Sequence, residues 1–138
     1  MVRTERVTVR TAGYYDVINI TEHVVGAVQR SGISQGIVTV FVPGSTAGVT
    51  TIEYESGLVQ DLRDAFERIA PSNQPYHHDL RWGDGNGYSH VRASLLGPSL
   101  TVPFEKGRLT LGTWQQIVLV DLDNRPRSRE VVVHIMGE

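Results

Sequence analysis

Hydrophobic and polar residues alternate near the start of the chain, and β-branched residues dominate residues 131–136 near its end, both patterns typical of β-strands. Residues 4–10 form the first predicted strand, and residues 14–20 are expected to pair back on it as a second. A continuous apolar run at residues 37–42 predicts a buried strand. Strands joined by tight turns are predicted in the last third of the chain, at residues 89–95, 99–104, 108–109, 112–122 and 131–136.

Apolar residues at helical spacing predict two helices. The shorter one has Thr21 as its N-cap and ends at Gly32, and the longer one covers residues 58–69. The polar segment that follows, residues 72–87, is long for a loop in a compact domain, and long loops often carry function. Two helices beside many strands predict an α+β fold with antiparallel, sandwich-like sheets, in a single domain of residues 1–138.

Composition and charge narrow the classes of function. The chain has 138 residues and a net charge of -2, which gives no electrostatic basis for binding nucleic acid or an anionic membrane. It contains no cysteine, which excludes disulfides, thiolate catalysis and thiolate metal sites. No apolar run approaches the roughly 20 residues that span a bilayer, and the first residues lack the apolar core of a signal peptide. A cytoplasmic location is therefore expected.

Histidines and carboxylates gather in and around the polar segment. They are His77, His78 and His90, with Asp79, Asp84 and Asn86 between them. Neutral imidazole binds zinc and similar metals, and carboxylates can complete the coordination shell. The spacing matches no strong zinc motif, and the alternative is a solvated loop whose histidines serve as hydrogen-bond donors.

Small and hydroxyl residues follow the predicted buried strand. Gly44, Ser45 and Thr46 stand in residues 43–48, where exposed N–H groups and hydroxyls can hold an anion. The segment is not a Walker loop, because the Gly-Lys-Ser/Thr ending is missing. A tight turn between two strands is the alternative. Glu53 follows and is either a general base or ligand, or a solvent-facing residue.

The basic candidates are Arg92 and Arg108. Arg92 follows His90 by two residues, so on a strand both side chains would point to the same side. That arrangement suits a phosphorylated ligand, and a surface arginine is the alternative. Trp114 and Gln115 belong to a polar-aromatic run, in which Trp114 is expected to be a core or interface anchor rather than a stacking platform for substrate.

Several of these segments together resemble the YjbQ-type family. The matching parts are SHVRASLLGPSLTVP at residues 89–103, GRL at residues 107–109, LGTWQQI at residues 111–117, residues 127–138, STAGVT at residues 45–50, Glu53, and Tyr76 with His78. The resemblance implies an α+β sandwich that assembles as a homotrimer, with its polar residues in a cleft near the subunit contacts. Some members are described as secondary thiamine-phosphate synthases, which join a hydroxymethylpyrimidine diphosphate to a thiazole phosphate and release diphosphate.

The resemblance also implies roles for single residues. His78, His90 and Glu53 are the catalytic candidates, and a divalent metal, zinc or magnesium, would be held by His78, His90 and Asp79. The candidate substrate-binding residues are Ser45, Thr46, Asn86, Arg92, Arg108, Trp114 and Gln115.

The chain departs from the family pattern at two positions. Many members carry a histidine where this chain has Gly44, and asparagine where it has Ile52. A carboxylate is then expected to complete the metal set, with Asp84 or Glu53 as alternatives to Asp79. Two functions stay open: an enzyme acting on a phosphorylated small molecule, and a non-catalytic trimer that binds a metabolite or metal in the same cleft.

Overall fold

Two antiparallel sheets form the centre of the structure, a computed structural model that describes residues 1–138. The strands are β1 (Val2–Thr11), β2 (Asp16–Asn19), β3 (Gly36–Phe41), β4 (Ala47–Glu53), β5 (Ser99–Glu105), β6 (Arg108–Leu109), β7 (Gln115–Asp121) and β8 (Arg127–Gly137). The five-stranded sheet has the order β1-β8-β3-β5-β6 and the three-stranded sheet the order β2-β7-β4. The predicted α+β class with facing antiparallel sheets is therefore confirmed.

Four helices accompany the sheets. They are α1 (Thr21–Ser31), α2 (Ser56–Ile69), α3 (His77–Trp82) and α4 (Gly87–Leu96). None of them combines the length and the apolar character that crossing a membrane requires.

The main hydrophobic core lies between the two sheets and α1. In β8, Val131, Val133 and Ile135 point inward at every second position, as the period of a strand requires. Val24 and Val28 of α1 pack into the same cluster. Burial on this scale is the dominant stabilising contribution to the fold.

A second, smaller core lies on the other face of the three-stranded sheet. Val118 and Val120 of β7 pack there with Phe66 of α2 and Ala93 of α4. The order of layers is thus the five-stranded sheet, the main core with α1, the three-stranded sheet, and finally α2 with α4. This arrangement places α4 beside the end of β7.

The predicted pairing of the second strand is wrong. β2 pairs with β7, with Asp16 opposite Asp121, and not with β1. Positive φ angles at Tyr14 (66°) and Tyr15 (131°) accompany the change of direction that carries the chain from one sheet into the other. β3 is also not uniformly buried, because the outer face of its sheet is uncovered within one chain and leaves Ile37 41 % exposed.

The structure has two helices more than predicted. Residues 89–95, expected to be a strand, lie in α4, and the polar segment of residues 72–87 contains α3. α4 buries Ser89 and Arg92 beside Tyr88 and Ala93 and leaves Leu95 exposed, so it lacks the continuous apolar stripe of an amphipathic surface helix. Thr21 is the first residue of α1 rather than its N-cap, and its hydroxyl accepts from the Ile117 N–H of β7 (2.8 Å).

Candidate functional site

His78 and His90 lie against each other where α3 and α4 meet. Their ring centroids are 4.2 Å apart and the ring planes are tilted by 36°. Both residues stand near the beginnings of their helices, and Gly83, in the left-handed conformation (φ 72°), ends α3 so that the chain can turn into α4. The polar segment does bring its two histidines together, through a helix-turn-helix rather than through neighbouring strands.

Two carboxylates flank His78. Its Nδ1 lies 3.6 Å from Oδ1 of Asp79 and 3.6 Å from Oδ1 of Asp84. That nitrogen is buried and has no hydrogen-bond partner. The three side chains offer ligand atoms that all lie within 4.8 Å of one another, a spacing that suits a divalent metal held by one imidazole and two carboxylates. The metal ligands expected from the sequence were His78, His90 and Asp79. In the structure Asp84, and not His90, is the third member of the group.

Backbone and side-chain hydrogen bonds hold the carboxylates in position. Oδ1 of Asp79 accepts from the Gly87 N–H at the start of α4 (2.8 Å). A Cβ at Gly87 would lie 2.5 Å from the Cβ of Tyr76, so only glycine permits this close approach. The carbonyl of Asp84 accepts from Nδ2 of Asn124 (3.0 Å), which ties the turn before α4 to the segment after β7.

The surroundings of His90 favour its neutral form. Burial lowers the pKa of His90 from 6.5, and the neighbouring His78 lowers it further, while the carboxylates nearby oppose the shift. A neutral imidazole at this position can accept a proton or ligate a metal.

A buried network of ion pairs lies beside the histidines. Arg129 pairs with Asp121 through two bonds, Nε to Oδ2 (2.8 Å) and Nη2 to Oδ1 (2.9 Å). Its Nη2 also donates to the Thr46 hydroxyl (2.7 Å), which donates in turn to Asp123 (3.0 Å). Arg127 donates to the same Asp123 carboxylate (2.8 Å). The network joins β8, the end of β7 and the turn before β4.

Asp123 links this network to α4. Burial by itself would raise the pKa of Asp123, but hydrogen bonds from Asn86, from the Asn124 N–H, from Arg127 and from Thr46 together lower it to about 2. Nδ2 of Asn86, the residue before α4, donates to Asp123 over 3.2 Å. An ionised Asp123 therefore anchors the start of the helix that carries His90.

A cleft of about 250 Å³ opens between α4 and the turn after β3. Its lining residues are Gly44, Ser45, Ala47, His90, Ala93, Ser94 and Pro98. Ser45 and His90, both expected from the sequence, face the same space. Thr46 does not line the cleft, because its hydroxyl is engaged in the buried network.

The structure does not place Arg92 in the site. It is 1 % exposed, and it donates to the Ala70 carbonyl (3.0 Å) and to Glu67 (2.8 Å). The expectation that it shares a face with His90 is wrong, because the segment is helical and residues two apart on a helix point about 200° away from each other. Arg92 instead ties α4 to the end of α2.

Glu53 also lies away from the histidines within one chain. Ala47 pairs with Asp121 at one end of β4, and Glu53 pairs with Gln115 at the other. A strand of this length separates the two ends by about 20 Å. Glu53 lines a different depression of about 480 Å³, to which Trp114 also contributes.

The remaining expected residues are spread over other surfaces. Trp114 is 73 % exposed and is not a core residue. The Gln115 side chain donates to Thr51 (3.0 Å) and accepts from the Gly112 N–H (3.0 Å). Arg108 lies in β6 at the edge of the five-stranded sheet.

Sequence reasoning missed the buried ion network, although one signal pointed to it. The period of two that directs Val131, Val133 and Ile135 inward also directs Arg129 inward, and Arg129 stands opposite the buried Val9. A charged residue on the core side of a strand needs a buried partner of opposite charge. Asp121 directly follows an apolar run, so the sequence offered it as the buried partner of Arg129.

Comparisons with known proteins agree on one family. Residues 5–138 match the family described as UPF0047 protein YjbQ-like. A UPF0047 protein of Methanothermobacter thermautotrophicus is 39 % identical over 137 residues, which are 99 % of this chain and 94 % of the relative. A UPF0047 protein of Archaeoglobus fulgidus is 38 % identical over 126 residues, 91 % of this chain and 95 % of the relative.

Solved structures give the same result. The crystal structure of a YbjQ-like protein of unknown function from Sulfolobus solfataricus P2 superimposes with a TM-score of 0.95 at 35 % identity, covering 100 % of this chain and 99 % of that one. An uncharacterised conserved protein of the YjbQ/UPF0047 family from Clostridium acetobutylicum gives a TM-score of 0.88 at 35 % identity, with 96 % and 99 % coverage. The chain therefore belongs to the YjbQ-like UPF0047 protein family.

Proposed function

We propose that this chain is a metal-dependent enzyme that acts on a phosphorylated small molecule. His78, Asp79 and Asp84 would hold the metal, and His90 would transfer a proton. The observation that carries the proposal is the buried Nδ1 of His78, which lies 3.6 Å from each of two carboxylate oxygens and has no hydrogen-bond partner. A buried polar atom without a partner is rare in proteins, and a bound cation would satisfy this one together with both carboxylates.

The donor set favours a zinc-type ion over magnesium. Magnesium is bound mainly by oxygen atoms and keeps several waters, whereas imidazole nitrogen suits zinc and related transition metals. When bound, such an ion supplies positive charge that can stabilise a phosphate group or activate a water.

His90 and Ser45 supply the groups that would meet the substrate. Both line the cleft of about 250 Å³, which has room for a phosphate-bearing fragment. Because its pKa is lowered, the His90 ring is neutral near pH 7 and can accept a proton from a reacting group. Asp123 and Asn86 act as positioning residues, since they fix the start of α4.

Secondary thiamine-phosphate synthase activity, which the family resemblance implies, is the first reaction to test. The alternative is a protein that binds metal or a metabolite in this cleft without turnover. The position of Glu53, about 20 Å along β4 from Ala47, supports that alternative, because the expected second base is distant within one chain. A turnover assay with the two phosphorylated precursors distinguishes the two functions.

We also propose that the protein assembles as a homotrimer. A row of exposed apolar side chains supports assembly: Val2, Met136 and Ile37 stand opposite one another on β1, β8 and β3, and each is 41–48 % exposed. A contiguous apolar row on the outer face of a sheet is typical of a surface that another protein covers.

The metal site is tested by calorimetric titration of zinc into protein purified without a histidine tag. We expect one strong site in the wild type and affinity losses of more than about tenfold in His78→Ala and Asp84→Asn. His77→Ala is the matched control, because His77 is exposed and lies outside the cluster. Equal zinc affinity in His77→Ala and His78→Ala would contradict the proposal.

A further inference from the structure

The turn between β3 and β4 presents backbone donors that the fold does not use. The N–H groups of Gly44, Ser45 and Thr46 donate to no acceptor in the protein. Gly44 has a φ of 121°, a conformation that side-chain-bearing residues rarely adopt. Successive free N–H groups in a turn form a concave surface with a positive potential, which favours an anion.

A buried arginine lies directly against this turn. Arg129 is 8 % exposed, and its Nε and Nη2 are engaged with Asp121 and Thr46. Its Nη1 donates to no protein atom, and a Cβ built on Gly44 would lie 3.1 Å from it. The lack of a side chain at Gly44 therefore leaves this nitrogen uncovered.

The turn and the histidine site face the same cleft. Gly44 and Ser45 form one wall and His90 stands on the other side. The Ser45 hydroxyl is exposed and has no hydrogen-bond partner. A guanidinium nitrogen, the backbone N–H groups of Gly44 and Ser45 and a hydroxyl thus lie at one turn on the wall of the cleft, a donor set that matches a tetrahedral oxyanion.

We propose that Arg129 and the Gly44–Thr46 turn form a subsite for the phosphate group of the substrate. The inference rests on the proposed function, because it names the chemical group that the same cleft receives. It assigns the cationic role to Arg129 in β8, in place of Arg92.

The charges of the network set the expected strength of binding. Arg127 and Arg129 are balanced by Asp121 and Asp123, so the network as a whole carries no net charge. The anion is held by oriented N–H groups rather than by an excess of positive charge. Inorganic phosphate alone should therefore bind with a dissociation constant in the millimolar range.

The test uses the full chain, freed of metal with a chelator, and inorganic phosphate as the probe. Calorimetry gives the affinity, and ¹⁵N-resolved amide shifts give the location. Wild type should bind phosphate with shifts at the Ser45 and Thr46 amides. Gly44→Ala, which places a methyl group over Nη1, should weaken binding by about tenfold, the effect of losing one charged hydrogen bond. Gly107→Ala is the control for placing alanine at a positive φ (73°), because Gly107 has nothing within 4 Å of its Cβ position.

Ser45→Ala gives a second measurement if Gly44→Ala does not fold, since Ser45 is exposed and its hydroxyl supports no other contact. It should weaken phosphate binding by about threefold, the effect of losing a neutral hydrogen bond.

The subsite is wrong if the wild type shows neither heat of binding nor amide shifts at about 10 mM phosphate. It is also wrong if Gly44→Ala and Gly107→Ala bind phosphate equally well. Zinc titration of the same proteins separates the two proposals. Retained zinc binding without phosphate binding overturns the subsite alone, and phosphate binding without zinc binding overturns the metal site alone.

Discussion

At the scale of single residues, Asp123 determines how the site is held together. Its carboxylate accepts from Thr46 in the turn, from Asn86 before α4 and from Arg127 in β8. All of these bonds require the ionised form or are strengthened by it. The position of His90 therefore depends on a charge that is itself fully buried.

Asp123 should make the protein sensitive to acid. Its pKa lies at about 2, below the ordinary 3.8, so its contribution to stability is fully present above about pH 4 and is lost as the pH falls through 2. The loss should be about 2 kcal/mol in the free energy of unfolding. Urea unfolding at stepped pH measures it. Asp123→Asn should be less stable at neutral pH and should lack this part of the pH dependence.

Asp61→Asn is the control for that experiment, because Asp61 is an exposed residue of α2. Its unfolding free energy should follow the wild-type pH curve. An unchanged acid slope in Asp123→Asn would show that other carboxylates cause the acid sensitivity.

The pKa of His90 is a second residue-level prediction. Burial and His78 both lower it, so NMR titration should place it below 6.5. His78→Ala should raise the pKa of His90, because the variant removes one of the two causes. His77→Ala should leave it unchanged. A pKa at or above 6.5 in the wild type would contradict this prediction.

At the scale of elements, Arg92 joins α4 to α2. Its guanidinium donates to the Ala70 carbonyl at the end of α2 and to Glu67, and it lies over the Tyr88 ring at 4.9 Å. Arg92→Ala should lower the free energy of unfolding by about 3 kcal/mol, because a buried carbonyl loses its donor and a cavity remains. Arg68→Ala, at an exposed position of α2, should change it by about 0.5 kcal/mol or less.

The same variants separate structure from ligand binding. Phosphate and zinc affinities of folded Arg92→Ala should equal those of the wild type. A loss of phosphate affinity with zinc affinity retained would show that Arg92 contributes to phosphate binding.

β8 is a core element and cannot be treated as a tail. It lies between β1 and β3, and it carries Arg129 as well as the inward-facing valines. Deleting residues 129–138 should yield insoluble protein, because both neighbouring strands lose their partner and Asp121 loses its counter-charge. Solubility after expression checks this, and a soluble, folded truncation would count against it.

The strands were largely predictable from the sequence, whereas α4 was not. Alternation marks β1, a continuous apolar run marks β3, and β-branched residues mark β8; each strand has one face in the main core. α4 carries no such stripe: it buries Ser89, and it buries Arg92 through bonds to Ala70 and Glu67, which are distant in the sequence. Periodicity records only apolar burial, so it misses a helix whose inner face is polar.

The candidate site was predictable in part for the same reason. The closeness of His78 and His90 followed from the polar segment between them, since a loop can bring its ends together. The role of Arg92 depended on the strand assignment and changed with it. Asp84 and Asp123 take their positions from tertiary contacts with Asn124 and Asn86, which no local pattern encodes.

At the scale of the whole molecule, the outer face of the five-stranded sheet makes assembly testable. Light scattering at micromolar concentration should give the mass of three chains. Met136→Lys and Ile37→Lys should shift the protein toward monomer, because each places a charge in the apolar row. Gln60→Lys, at an exposed position of α2 on the opposite side of the molecule, is the control. A monomeric wild type would contradict the trimer.

The order β1-β8-β3 also has a consequence for how the chain folds. The second position of the five-stranded sheet, between β1 and β3, is filled by the last strand in the sequence, which pairs with the first one over ten residues. During synthesis the edges of β1 and β3 that pair with β8 therefore remain unpaired until β8 has left the ribosome. Pairing between segments so distant in the sequence is slow, and the waiting chain exposes strand edges that favour aggregation. We expect the five-stranded sheet to be completed only after β8 has been synthesised, and nascent chains that lack β8 to depend on chaperones.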